Sequence, residues 1–133
     1  MVYLYLDIDP TPKHRPRFAR RGNNVSTHSD PKDVAFKKAV QAIARGQLDY
    51  PLEGALRCEI VFFIKPPKTI KTKYPINKRS GDVDNLAKNL LDALNPSPGF
   101  PGAYADDSQI ISLTASKYYR EISGIEIKLY SLN

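Results

Sequence analysis

Residues 81–95 read Gly81-Asp82-Val83-Asp84-Asn85-Leu86-Ala87-Lys88-Asn89-Leu90-Leu91-Asp92-Ala93-Leu94-Asn95. Leu86, Leu90, Ala93 and Leu94 fall on one stripe of a 3.6-residue period, and this spacing predicts a helix from about Asn85 to Leu94. Asp84 stands just before it, where a carboxylate can cap exposed backbone amides. Lys88 lies one turn further on, on the polar side with Asn85 and Asp92. Asp82 and Asp84 are separated by one residue, so an extended backbone there turns both carboxylates the same way.

Upstream of this motif, residues 65–80 hold Pro66, Pro67 and Pro75 among Lys65, Lys68, Lys71, Lys73, Lys78 and Arg79, which reads as an extended, mobile loop. Before it, residues 55–64 alternate, with Leu56, Cys58, Ile60, Phe62 and Ile64 on one face. Val61 and Phe63 interrupt the polar face, which predicts a central strand covered on both sides. Asp30-Pro31-Lys32-Asp33 is a helix start, Phe36, Ala39, Val40 and Ile43 follow at helical spacing, and Gly46 is the stop. Residues 2–8 alternate as a half-buried strand that Pro10 and Pro12 end. The stretch 11–29 is polar, basic and irregular, with a turn at Gly22-Asn23-Asn24. Downstream, the Pro- and Gly-rich residues 95–105 form a loop, and strands at about 109–117 and 124–132 close the chain. The expected architecture is α+β: a single mixed β-sheet of about four strands with two helices packed on one face, in one domain over residues 1–133.

Composition narrows the function classes. Hydrophobic residues make up 41% and charged residues 26% of the 133, as in a folded globular protein. No apolar run approaches the roughly 20 residues of a membrane span. The start, Met1-Val2-Tyr3-Leu4, does not read as a secretory signal, so a cytoplasmic location and no membrane partner are expected. Cys58 is the single cysteine, which excludes a disulfide framework and a cysteine metal cluster. Ser97, Ser108 and Ser116 lack hydrolase-type neighbours. The net charge of +6 suits a polyanion, and its placement says more than its size. Lys13, Arg15 and Arg17 crowd one segment, and Lys68, Lys71, Lys73, Lys78 and Arg79 run straight into the acidic motif. Cations beside a carboxylate cluster suit phosphates held next to a metal, and these residues are the expected DNA-binding set.

Asp106-Asp107, just before a strand, can add a third carboxylate to Asp82 and Asp84. Hard divalent cations take such oxygen ligands, and a bound ion can generate hydroxide and neutralise developing charge on a phosphodiester. Lys88 adds a point charge where negative charge develops. Asp82, Asp84, Lys88 and Asp107 are therefore the expected catalytic set, and the three aspartates the metal ligands. Each residue also has a plainer reading: Asp84 a helix cap, Asp84 and Lys88 a surface ion pair, Asp106-Asp107 an ordinary turn. Asp92 is expected to pack or cap near the helix end. His14 and His28 lack zinc-ligand spacing and read as phosphate contacts or solvent-exposed residues.

The run from Gly81 to Asn95 resembles the Asp-x-Asp-Asn-x-x-Lys-x-x-x-Asp-Ala-Leu signature of the RusA-type Holliday-junction resolvases of bacteria and their phages. Asp106-Asp107-Ser108-Gln109-Ile110 is similar to that family's Asp-Asp-x-Gln-[Val/Ile]. Pro12-Lys13-His14-Arg15-Pro16-Arg17 is similar to the opening of many phage-type members, and Lys117-Tyr118 sits where they often carry Lys-x-Tyr. The resemblance implies a homodimeric, magnesium-dependent nuclease, with manganese as a substitute, that cuts four-way DNA junctions symmetrically and needs no small-molecule cofactor. It implies metal-ligand roles for Asp82, Asp84 and Asp107 and an essential catalytic role for Lys88. Three departures stand out: Ser80-Gly81 in place of Lys-Pro, implying a looser backbone before Asp82; a longer 95–105 loop; and no Pro-Ser-Asn-Asn opening. The rival readings are a non-enzymatic DNA-binding module and a flap or general branched-DNA nuclease; magnesium-dependent cutting separates enzyme from binder.

Overall fold

The structure, a computed structural model, describes residues 1–14, 17–22, 24–28, 30–49 and 51–132, with 17–21 and 24–28 described as backbone. In chain order the elements are β1 (Val2–Leu6), β2 (Arg17–Arg21), β3 (Asn24–His28), α1 (Pro31–Arg45), β4 (Leu56–Ile64), α2 (Val83–Ala93), β5 (Ile110–Tyr119) and β6 (Gly124–Ser131). Short 3-10 turns at Lys78–Ser80 and Asp107–Gln109 introduce α2 and β5.

The main sheet has four strands in the order β1-β6-β4-β5. Strand β6 runs antiparallel to both β1 and β4, whereas β4 and β5 are parallel. A parallel pair needs a long crossover, and residues 65–109 supply it, with α2 in the middle. This connection sets the site: α2 begins near the C-terminal end of β4 and ends near the start of β5.

The expected α+β architecture is the observed one. Leu4, Ile127, Ile60 and Ala115 sit side by side across the four strands. Phe36 and Val40 of α1 and Leu86, Leu90 and Leu94 at α2 join the same buried core as Leu4, Ile60 and Ile127. Asp30 caps α1 as its sequence foretold, its side chain accepting from Lys32 N at 2.8 Å.

Two expectations are corrected. Residues 11–29 are not irregular throughout: β2 and β3 pair antiparallel, and Gly22 (φ 61°) opens the turn between them. This ribbon lies outside the main sheet, and no alternating apolar pattern announced it. Strand β4 is central, but Val61 and Phe63 stay half-buried on its second face instead of joining the core. The Arg120 guanidinium lies 3.8 Å from the Phe63 ring centroid, and a long cationic side chain can cover an aromatic without a further layer.

Candidate active site

The approach to α2 is fixed by hydrogen bonds. Ser80 N donates to Asn77 Oδ1 (3.0 Å) and Ser80 Oγ to Pro75 O (2.8 Å). Lys117, reaching over from β5, donates to Ser80 Oγ (3.0 Å) and Gly81 O (2.7 Å). The Ser80-Gly81 step is therefore held, not loosened. Gly81 has φ 81°, and a Cβ there would stand 3.2 Å from Pro12 Cβ and 3.4 Å from Leu86 Cδ2, so glycine is what the close approach allows.

Helix α2 starts at Val83, two residues before the expected Asn85. Asp82 becomes the N-cap residue (φ −75°, ψ 137°), yet its side chain makes no capping bond and is exposed. Asp84 lies inside the first turn, where the helix dipole favours a carboxylate, and its Oδ1 accepts from Asn85 N at 2.9 Å. Helical backbone at Val83 and Asp84 replaces the extended geometry that would have aligned the two carboxylates.

The polar side of α2 is partly occupied. Asn85 Nδ2 donates to Lys13 O (3.0 Å), Asn89 Nδ2 to Thr11 O (2.8 Å), and Asp92 forms an ion pair with Lys13 Nζ. The Thr11–His14 segment is thus laid along the helix. It is tied to α1 as well: Asp33 accepts from His14 N at 2.9 Å and pairs with His14 Nδ1 at 2.8 Å. Lys13, His14, Asp33, Asn89 and Asp92 line one pocket. His14 is therefore engaged by a carboxylate, neither a plain exposed residue nor a free phosphate contact. Lys88 is exposed and, among the described residues, forms no ion pair with Asp84 or Asp92.

Asp107 sits in the 3-10 turn before β5, whose start is fixed by a capping box between Asp106 and Gln109. Asp107 N donates to Asn95 Oδ1 (2.9 Å), and Asn95 Nδ2 donates to Asp107 Oδ2 (3.2 Å). Burial pushes the Asp107 carboxyl up from its ordinary value, and a hydrogen bond with Asp92 and the charges of Asp106 and Asp92 push the same way, while the Asn95 bond opposes them. Two hydrogen bonds from Ser108 hold the Asp106 carboxyl low.

Two acidic groups therefore lie at opposite ends of α2. Asp82 and Asp84 are at its start, and Asp92 with Asp107 at its finish. Ten residues of helical rise separate Asp82 from Asp92 by about 15 Å. Among the described residues, no three His, Cys, Asp or Glu side chains gather closely enough to hold a metal ion. Asp92 is the residue that sequence reasoning undervalued. It is neither a cap nor packing but the partner of Lys13 and the neighbour of Asp107. The spacing Asn85, Asn89, Asp92 marked one helix face, but nothing local revealed what that face holds.

Of the expected DNA-binding cations, Lys68, Lys71, Lys73, Lys78 and Arg79 are all exposed around the crossover before α2. Lys13 is exposed too but bound to Asp92. Arg15 lies outside the described residues, and Arg17 is described as backbone of β2. No described helix is long and apolar enough to cross a membrane.

The chain is 26% identical over 132 residues to the uncharacterized protein YqaN of Bacillus subtilis (strain 168), covering 91% of this chain and 89% of that one. The family described as Endodeoxyribonuclease RusA matches residues 7–130. That match takes in the Thr11–His14 segment, both ends of α2 and the Asp107 turn, and on it the chain belongs to the RusA endodeoxyribonuclease family.

Proposed function

We propose that this protein is a magnesium-dependent, structure-selective endonuclease that resolves four-way DNA junctions by symmetric phosphodiester hydrolysis, acting as a homodimer in DNA recombination and repair in the cytoplasm. One observation carries the reading. Lys88 is an exposed ammonium, without an ion pair among the described residues, one turn from Asp84 and one turn from Asp92. A structural salt bridge would have consumed it; a charge kept open on an acidic helix face is available to a substrate phosphate.

The donor set fits a hard divalent ion in kind, since Asp82, Asp84 and Asp107 all offer carboxylate oxygens. It does not fit in placement within one chain, where no three such groups gather among the described residues. Symmetric cutting calls for two copies about a two-fold axis, and such a pair offers the separated ends of α2 a way to meet. Held by these carboxylates, such an ion would activate a water for attack and neutralise charge developing on the phosphate. The chain's own contribution is to present Lys88 to the scissile phosphate, where a positive charge counts most in the transition state. Lys68, Lys71, Lys73, Lys78 and Arg79 grip the flanking backbone, with Arg15 and Arg17, and Lys13 joins them on exchanging Asp92 for a phosphate.

The test is cleavage of a synthetic four-way junction beside linear duplex, with magnesium, with manganese and with neither. Junction-selective cutting that needs the ion is expected. Binding without cutting under every condition would instead make this a DNA-binding module, and equal cutting of linear duplex a general nuclease.

A further inference from the structure

The outward face of α1 and the loop after α2 enclose a groove that the reading above leaves unused. Lys37, Lys38, Gln41 and Arg45 form one wall, Ser97 and Pro98 the other. Lys37, Lys38 and Arg45 bring three positive charges to it, and no carboxylate lines it. The three are exposed, and none has an ion-pair partner among the described residues.

The groove is built, not incidental. Gln41 is buried and spans the two walls: its Nε2 donates to Ala93 O (3.2 Å) and its Oε1 accepts from Ser97 Oγ (3.1 Å). Ser97 and Phe100 close the loop on itself with reciprocal backbone bonds of 2.9 and 2.8 Å. Arg45 Nε donates to Gly99 O at 3.0 Å, which orients the guanidinium and leaves its terminal fork for another acceptor. The loop that makes this wall is the 95–105 segment whose length set the sequence apart.

The cations do not converge on a point. From Lys37 to Arg45 the helix rises about 12 Å, so the three charges are strung out in a line along the groove. A single small anion would use one or two of them; a repeating polyanion uses all. At one end the groove adjoins the pocket of Lys13, His14, Asp30, Asp33 and Asp92, with Val34 and Lys37 common to both, and the carboxylates there mark where the cationic stretch ends.

We infer that the α1 groove binds the sugar–phosphate backbone of one arm of a branched DNA, separately from the cations of residues 68–79. The inference rests on the nuclease reading above. The experiment measures binding of a four-way junction in calcium, at several salt concentrations, for the wild type and for Lys37→Ala/Lys38→Ala. The double variant should bind about tenfold more weakly, with a slope of log affinity against log salt shallower by about two. In parallel, an amine-acylating reagent should modify Lys37 and Lys38 of the wild type more slowly once junction is bound, a result independent of how the variant folds. Unchanged affinity and slope in a folded variant, or acylation at the same rate with and without junction, overturns the groove. A wild type that neither binds nor cuts the junction overturns the nuclease reading itself, and the two failures are told apart by that arm alone.

Discussion

Asn95 grips Asp107 from both sides of its residue, accepting from the Asp107 backbone amide at 2.9 Å and donating to the Asp107 carboxylate at 3.2 Å. The clasp joins the end of α2 to the turn before β5 and holds Asp107 against Asp92. It also leaves one Asp107 oxygen outside the Asn95 bond.

Asn95→Ala should therefore misplace Asp107 without removing any carboxylate. Partners of metal ligands are typically worth about 10–100-fold in metal affinity. The magnesium concentration giving half-maximal junction cleavage should rise within that range, while junction binding in calcium stays as in the wild type. An unchanged magnesium requirement would mean that the clasp serves only the fold.

Lys88→Ala should lower single-turnover cleavage by roughly 10²-fold or more, the scale of losing one transition-state donor. Junction affinity should barely move, because many other cations hold the backbone. Lys88→Arg should not rescue, since the guanidinium is larger, planar and differently hydrated. Near wild-type cleavage by Lys88→Ala at saturating enzyme would remove Lys88 from the mechanism.

The separation of Asp82 from Asp107 along α2 makes a mixed-dimer experiment decisive. Asp82→Asn and Asp107→Asn should each abolish cutting while leaving junction binding intact. If a site takes carboxylates from both copies, a heterodimer of the two variants has one intact site and one doubly altered site, and it nicks the junction on one strand. If each chain builds its own site, the same heterodimer is inert. Gel analysis of nicked and resolved products reads the difference.

Asp107 also links the site to stability. Its carboxyl is raised in the folded state, first by burial and then by Asp92. A raised carboxyl favours the fold below the unfolded value, near 3.9, and that advantage is lost as pH rises through the folded value. At neutral pH the ionised group works against the fold. Asp107→Asn should then raise Tm at neutral pH in chelator, and the gain should shrink in acid. A gain that persists below pH 3.9, or a loss at neutral pH, contradicts this account of the carboxyl.

Much of this was legible from residues alone. The period of Leu86, Leu90, Ala93 and Leu94 specified both the helix and its inward side, because burying one stripe is what stabilises such a helix. Asp30-Pro31 announced α1 because capping is local chemistry. The start of α2 was read two residues late because Val83 and Asp84 are weak helix formers and the anchor that fixes their entry, Lys117 on Gly81 O, comes from another strand.

What a single sequence determined here is which residue types share a face and where the chain turns, since both follow from backbone period and nearest neighbours. Tertiary structure alone decided which faces meet. The crossover between parallel β4 and β5 carries Asp107 to the far end of α2 from Asp82, lays Lys13 on Asp92 across 79 positions of chain, and folds the 97–99 loop onto α1. Those pairings depend on strand order and helix direction, and no periodicity within one segment encodes the position of another.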